Sequence, residues 1–258
     1  MSAFEIEREG AIVTIRLNRP EHGNALTDAD MLEPLIDAIS EAGHSAGTLV
    51  LTGAGRVFSA GGNIDDIALA RGMFGGTPGE IRDGYRNGIH RLVTTLYDLE
   101  IPTIAAVNGA AVGAGFDLTL ACDMRIASDS ARFQTGFVGL GLIPGDGGAW
   151  LLRAAVGPAV AARLILTSEM IPARAARELG LVSDVVADDA LLPAAMDLAA
   201  RTVGHSRTAL GLAKRLLRRA ATQGFAEALE DAASAQAICH HSTEHRKIAA
   251  RLARERGL

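Results

Sequence analysis

Hydrophobic and polar residues alternate along the first segment of the chain, over Phe4–Arg8. A period of two is typical of a half-buried strand. Glu9 and Gly10 form a turn signal, and apolar positions resume over Ala11–Leu17. The pattern therefore predicts an opening β-hairpin.

Beyond the hairpin, short apolar runs alternate with longer segments that have helical spacing. Such an order favours parallel strands joined by right-handed crossovers. We expect buried strands over Thr48–Leu51 and Thr103–Val107 and a further strand over Asp123–Ala127. We expect helices from Thr27 or Asp28 to about Glu41, from about Glu80 to Leu99, and from near Ala114.

The pattern changes after about Gly145, where Ala-, Leu- and Arg-rich helical segments dominate and only Leu181–Val186 interrupts them. This change predicts two parts, an α/β core over residues 1–195 and a helical C-terminal region over residues 196–258. The many basic residues of the last quarter predict a solvated helix face, or alternatively a docking surface for the phosphates of a ligand.

Composition narrows the classes of protein. The chain has 258 residues, is 48% hydrophobic and carries a net charge of −5, which suits one sizeable core and argues against general nucleic-acid binding. The apolar stretch over residues 101–122 contains Pro, Asn and Asp, so we expect no membrane span. Cys122 and Cys239 cannot form a disulfide framework and the charged start predicts no signal peptide, so we expect a cytoplasmic protein.

The first candidate for chemistry is the Gly-rich segment Gly53–Ile67. Phe58 stands where a dinucleotide fingerprint would require its third glycine, so that pattern is weak. Ala60, Gly61 and Gly62 lack bulky side chains, and the backbone there can approach a ligand closely and point an N–H group at it.

The second candidate is a small-residue turn at Gly109–Gly115, which leads into the predicted helix near Ala114. The first turn of a helix offers unpaired N–H groups and the positive end of the helix dipole. Amides near Gly62 and Ala114 could converge on one oxygen as an oxyanion hole, in which each donor is typically worth about 3 kcal/mol of barrier. The alternative is that both segments are tight structural turns with no role in ligand binding.

Five short blocks of sequence follow one another in a fixed order: Asn18–Leu26, Phe58–Asn63, Ala105–Gly109, Gly113–Gly115 and Ile143–Gly148. With these blocks in this order, the chain resembles the crotonase superfamily, the enoyl-CoA hydratase/isomerase family. The resemblance extends over nearly the whole chain, to Thr243–Lys247.

This resemblance implies an α/β fold, a spiral of ββα units with a helical C-terminal trimerisation region, and a homotrimer or hexamer. It also implies an acyl-CoA substrate that brings coenzyme A with it, so we expect no separate cofactor and no metal. The residues implied in oxyanion stabilisation are Gly62 and Ala114, and those implied in substrate binding are Ala25, Ala60, Gly62, Asn63, Ile64, Ala114, Phe137 and Lys247.

Acid/base chemistry on a thioester needs a carboxylate, and hydratases of this family use two. The first position falls on Asp117, whose alternative role is to cap its helix. The second position falls on Phe137, which cannot carry a proton. Asp146 is the nearest replacement, one residue after the position at which some isomerase-like relatives have an Asp and this chain has Gly145. Asp146 could act in the site or only stabilise its turn.

Three functions follow from these residues. The first is an enzyme of the enoyl-CoA hydratase/isomerase type, with Asp117 as acid/base and Asp146 as its helper. The second is a dedicated enoyl-CoA isomerase with negligible hydratase activity, and the third is a non-catalytic acyl-CoA-binding protein. The H-x-x-E-H pattern at His241–His245 resembles a zinc motif, but no later helix supplies a third ligand.

Overall fold

The opening hairpin forms as the alternation predicts. The computed structural model describes residues 2–256, and in it β1 (Phe4–Glu9) pairs antiparallel with β2 (Ile12–Leu17). The hairpin is one side of a six-stranded sheet of order β1-β2-β3-β5-β7-β10. From β2 onward every neighbouring pair in this sheet is parallel.

The central strands are the apolar runs of the sequence. They are β3 (Thr48–Gly53), β5 (Thr103–Val107) and β7 (Met124–Ser128), with β10 (Asp184–Val186) at the edge. All residues of β5 are buried, because helices or loops cover both faces of a parallel sheet and no polar side is required. The three predicted strands are confirmed; β3 and β5 are buried as expected, whereas the first two residues of β7 are partly buried.

A second sheet of four short strands was not predicted. Its order is β4-β6-β8-β9, and its strands are β4 (Val57–Ser59), β6 (Ala110–Val112), β8 (Arg132–Gln134) and β9 (Ile171–Pro172). Strands of two or three residues are too short to show a period of two. Each central strand of the large sheet continues into one strand of the small sheet and then into helix, which produces repeated ββα units.

The helices have the following bounds: α1 (Ala29–Ser45), α2 (Ile64–Ala68), α3 (Pro78–Asn87), α4 (Ile89–Asp98), α5 (Ala114–Ala121), α6 (Gly148–Thr167), α7 (Ala173–Glu178), α8 (Leu191–Val203), α9 (Arg207–Arg219), α10 (Phe225–His241) and α11 (Thr243–Glu255). Helix α1 begins after Asp28 and α5 begins at Ala114, as expected. The single helix expected over residues 80–99 is instead α3 and α4, which are bent at Gly88 (φ −106°, ψ −105°).

Helix α6 is long and apolar enough to cross a bilayer by length and composition, and it is the one such helix within residues 2–256. Its geometry is interrupted at Gly157, where φ is 77° and ψ is 169°. The next residue is Pro158, whose ring disfavours helical geometry in the residue before it. Two shorter helical pieces therefore meet at this bend.

The large sheet is covered on both faces. On one face Leu35, Leu92 and Phe116 bring α1, α4 and α5 into the main core. On the other face α8 covers the sheet, and its Ala195 lies in a smaller core with Val50. The boundary at residues 195 and 196 that the sequence predicts lies within α8 and stays a prediction.

Two basic residues of α9 attach that helix to the sheet. The Lys214 ammonium donates to the Ile101 carbonyl at 2.7 Å and lies 2.6 Å from the Asp123 carboxylate. The Arg218 guanidinium donates to the other oxygen of Asp123 at 2.9 Å and lies 3.8 Å from the centre of the Tyr97 ring. These cations are structural, because their donors are occupied within the chain.

Candidate active site

Asn24 anchors the loop that leads to the first Gly-rich segment. Its side chain is buried, and its amide donates to the carbonyls of Ala54, Val57 and Phe58 at 3.1, 2.8 and 3.2 Å. The Ser59 hydroxyl donates to the Asn24 carbonyl at 2.8 Å. Side-chain bonds to backbone therefore hold this segment in place.

Gly61 brings the two Gly-rich segments into direct contact. Its φ of 86° favours glycine, and the Ser59 hydroxyl accepts a hydrogen bond from its amide at 3.0 Å. A Cβ atom on Gly61 would lie 2.6 Å from the Val112 carbonyl oxygen and 2.9 Å from the Ala114 nitrogen. The absence of side chains at this contact is therefore a steric requirement.

The amides of Gly62 and Ala114 border the same cavity, which has a volume of about 370 Å³. Neither amide donates a hydrogen bond to another group within residues 2–256. Ala114 is the first residue of α5, and an amide at this position has no partner within its helix. Two residues with unpaired amides thus line a space large enough for part of a ligand.

Most of the predicted binding residues line this cavity, namely Ala60, Gly62, Ile64, Ala114 and Phe137. Three others do not. Ala25 is buried in the core, the Asn63 side chain caps α2 by accepting from the amides of Asp65 and Asp66, and Lys247 is exposed on α11.

Asp117 lies in the first turn of α5 and is 1% exposed. Neither of its carboxyl oxygens has a hydrogen bond of normal geometry within residues 2–256, and its side chain does not cap α5; the Gly148 amide at the start of α6 is a weak donor to it. A Cβ atom on Gly148 would lie 2.2 Å from Asp117 Oδ1. Burial, and then the negative charge of Asp146, raise the pKa of Asp117 well above its ordinary value, and the Gly148 amide opposes this.

Asp146 lines the cavity, whereas the buried Asp117 is not among the residues that line it. Asp146 is 4% exposed, and its Oδ1 atom has no hydrogen-bond partner among the described residues. Burial raises the pKa of Asp146 to about 6, although the nearby His90 lowers it. The structure thus brings the two candidate carboxyls into one electrostatically coupled pair.

Two aromatic residues beside Asp146 were not predicted from the sequence. Nε2 of His90 donates to the Gly145 carbonyl at 2.7 Å, which fixes the backbone next to Asp146. Tyr85 contacts His90 edge-on, with ring centres 6.0 Å apart. Burial, followed by the charge of Asp146, raises the pKa of the Tyr85 phenol. Their only signal in the sequence was helical spacing, which does not identify a site.

The rest of the cavity wall is largely apolar. Phe137 is 9% exposed, and its ring lines the cavity together with Leu140 and Leu142. Trp150 does not reach the cavity and instead packs edge-on against Tyr97 at 6.0 Å. The arrangement suits an enzyme class that stabilises an oxyanion and moves a proton, because two residues with unpaired amides and the buried carboxyl of Asp146 line one largely apolar cavity, with Asp117 buried beside Asp146.

Comparison with known proteins identifies the family. The family model described as enoyl-CoA hydratase/isomerase matches residues 7–254. The chain is 36% identical to a 2,3-dehydroadipyl-CoA hydratase of Escherichia coli over 221 residues, which are 85% of this chain and 83% of that protein. It is 35% identical to a short-chain-enoyl-CoA hydratase of Clostridium acetobutylicum over 249 residues, 95% of this chain and 91% of that one.

A solved structure supports the same family assignment. The crystal structure of an enoyl-CoA hydratase from Bacillus anthracis matches with a TM-score of 0.89 and 28% identity, and covers 99% of this chain and 96% of that one. The chain belongs to the enoyl-CoA hydratase/isomerase family, which confirms the predicted crotonase-like fold. It is an acyl-CoA enzyme of the hydratase/isomerase type.

Proposed function

We propose that this enzyme mainly shifts the double bond of an enoyl-CoA, and that it hydrates enoyl-CoA slowly. In this proposal the amides of Gly62 and Ala114 hold the thioester oxygen, and the pair of Asp117 and Asp146 moves the proton. The observation that carries the proposal is the buried carboxyl pair without hydrogen-bond partners, next to the cavity that the two free amides border.

The reaction needs one proton acceptor and one proton donor. One carboxylate takes a proton from the α carbon of a 3-enoyl thioester, and the electron pair moves onto the thioester oxygen, where two N–H donors stabilise the dienolate. A carboxylic acid then returns a proton at the γ carbon, which yields the 2-enoyl thioester. The pair suits both roles, because burial raises the pKa of both carboxyls and thus favours the protonated form that a proton donor needs.

Phe137 favours isomerisation over hydration. Its ring forms part of the cavity wall where hydratases of this family have their second carboxylate, so the activation of water lacks that group. Asp146 supports hydration as a second candidate function, because it is a carboxylate that lines the same cavity. The names of the relatives, which are hydratases, support that candidate as well.

Two assays on the same enzyme test the proposal. We expect 3-hexenoyl-CoA to be isomerised at least about tenfold faster than crotonyl-CoA is hydrated, because a missing general acid or base typically costs 10²-fold or more. Hydration at an equal or higher rate would establish the second candidate. Tight binding of hexanoyl-CoA with no turnover of either enoyl thioester would establish the non-catalytic alternative.

Gly61→Ala tests the oxyanion hole without touching a side chain that carries a proton. The added methyl group would meet the Val112 carbonyl and the Ala114 nitrogen at 2.6 and 2.9 Å, and the two segments would have to separate. We expect kcat to fall about 100-fold, the usual cost of a lost oxyanion donor. Gly180→Ala is the matched control, because Gly180 has a similar φ of 76° and nothing within 4 Å of the added Cβ atom. Equal losses in the two variants would refute the oxyanion hole.

We further propose that the chain acts as a homotrimer or hexamer in the cytoplasm, with the helical region from residue 196 in subunit contacts. Large apolar side chains support this assembly, since Leu217 and Phe225 are 78% and 81% exposed. Lys247 would then serve the coenzyme A phosphates of a neighbouring subunit. Light scattering during gel filtration measures the mass, and a monomer would contradict the assembly.

A further inference from the structure

A second cavity, with a volume of about 570 Å³, adjoins the one described above. Two residues, Tyr85 and Leu142, line both cavities and lie where they meet. The complete lining of the second cavity is Arg82, Tyr85, Arg86, His90, Leu142, Ile143 and Gly145.

The charge of this second cavity is positive. Arg82 and Arg86 are four residues apart on α3 and therefore share one face of the helix. Within residues 2–256, neither guanidinium makes a hydrogen bond or lies within 4.0 Å of a carboxylate. Arg91, one helix further on, is by contrast bound to Glu33 at 2.7 Å. The donors of the two arginines are thus available to an anion.

The second cavity lies next to the space proposed for the acyl group of the substrate. If Gly62 and Ala114 hold the thioester oxygen, as proposed above, the acyl chain occupies the first cavity, which Asp146 also lines. Tyr85 and Leu142 line this cavity and the second one, so the far end of the acyl chain can reach the second cavity. His90 is not free to bind an anion through Nε2, because that atom donates to the Gly145 carbonyl.

We propose that the enzyme accepts acyl groups with a carboxylate at their far end, that is, the mono-CoA thioesters of dicarboxylic acids. Arg82 and Arg86 bind that carboxylate, and Leu142 and Ile143 contact the methylene groups before it. Guanidinium groups suit this role because their paired N–H donors match the two oxygens of a carboxylate. The inference rests on the proposed position of the thioester oxygen.

Binding of two unreactive thioesters tests the inference. Hexanedioyl-CoA and hexanoyl-CoA have the same six-carbon chain and the same coenzyme A and differ in the terminal carboxylate. By calorimetry we expect hexanedioyl-CoA to bind about tenfold more tightly, the usual effect of a charged hydrogen bond. In the double variant Arg82→Gln/Arg86→Gln this preference should disappear, while the Kd of hexanoyl-CoA stays the same. Arg153→Gln, an exposed arginine of α6 outside both cavities, should keep the preference.

The other outcomes separate this inference from the proposed function. Equal Kd values for both thioesters in the unaltered enzyme would overturn the inference alone. If the double variant weakens both thioesters equally, the arginines bind coenzyme A phosphates and the inference is wrong. Failure of both thioesters to bind would overturn the proposed function, and the inference with it.

Discussion

Asp117→Asn is expected to lower kcat by about three orders of magnitude, within the range typical of a lost general acid or base. Asn has the same shape as Asp but cannot take up or release a proton at neutral pH. The carboxyl of Asp117 makes no hydrogen bond of normal geometry within residues 2–256, and the Asn carbonyl oxygen can keep the weak contact with the Gly148 amide, so the substitution should disturb the fold little. The loss should therefore appear in kcat, with little change in binding.

Two measurements separate chemistry from structure in this variant. Single-turnover rates with 3-hexenoyl-CoA give the proton-transfer step, and the Kd of hexanoyl-CoA reports an intact cavity. Asp197→Asn is a matched control, because Asp197 is an exposed carboxylate on α8 and does not line the cavity. If Asp117→Asn keeps the turnover of the unaltered enzyme, Asp117 moves no proton, and its burial needs another explanation.

Much of the fold could be predicted because its main strands are buried on both faces. The apolar runs at β3 and β5 are long enough to distinguish from loops, and alternation marks the hairpin. The small sheet could not be predicted, since β6 and β8 have three residues each. The division of the expected helix into α3 and α4 depends on the backbone at Gly88, and one glycine in a helical pattern does not indicate a bend by itself.

Some features of the candidate site also have a local signal in the sequence, and others depend on tertiary packing. Gly62 and Ala114 could be predicted because small residues and a helix start leave a local signal. The coupling of Asp117 to Asp146 depends on how α5 packs against the start of α6, which no local pattern contains. Tyr85 and His90 reach the site from α3 and α4, and the bend between those helices sets their positions. Long-range packing therefore determines the chemistry, while the local sequence determines the turns.

Asp146→Asn is expected to make the protein more stable above pH 6 and far less active. Asp146 has an ordinary pKa of 3.8, which applies to the unfolded chain, and a pKa of about 6 in the folded protein. The folded state thus holds this proton more tightly. Ionisation of Asp146 therefore lowers the free energy of unfolding as the pH rises from about 4 to about 6, and the cost stays constant above that pH.

An Asn at this position stays neutral at every pH, so the variant avoids that cost. We expect a gain of up to about 3 kcal/mol in the free energy of unfolding at pH 8 and almost none at pH 4, from 1.36 kcal/mol for each unit of pKa. Urea unfolding at both pH values measures the gain. Asp197→Asn, on an exposed surface, should show no pH-dependent gain.

The activity of this variant should change in the opposite direction. A carboxylate that faces the cavity is lost, and we expect kcat to fall about 100-fold. The unaltered enzyme should itself lose activity below pH 6, where Asp146 takes up a proton. A stability gain of equal size at pH 4 and pH 8 would show that folding does not raise the pKa of Asp146. The combination of greater stability with lost turnover is the result expected of a carboxylate buried for chemistry, because a merely structural turn residue would lose stability when replaced.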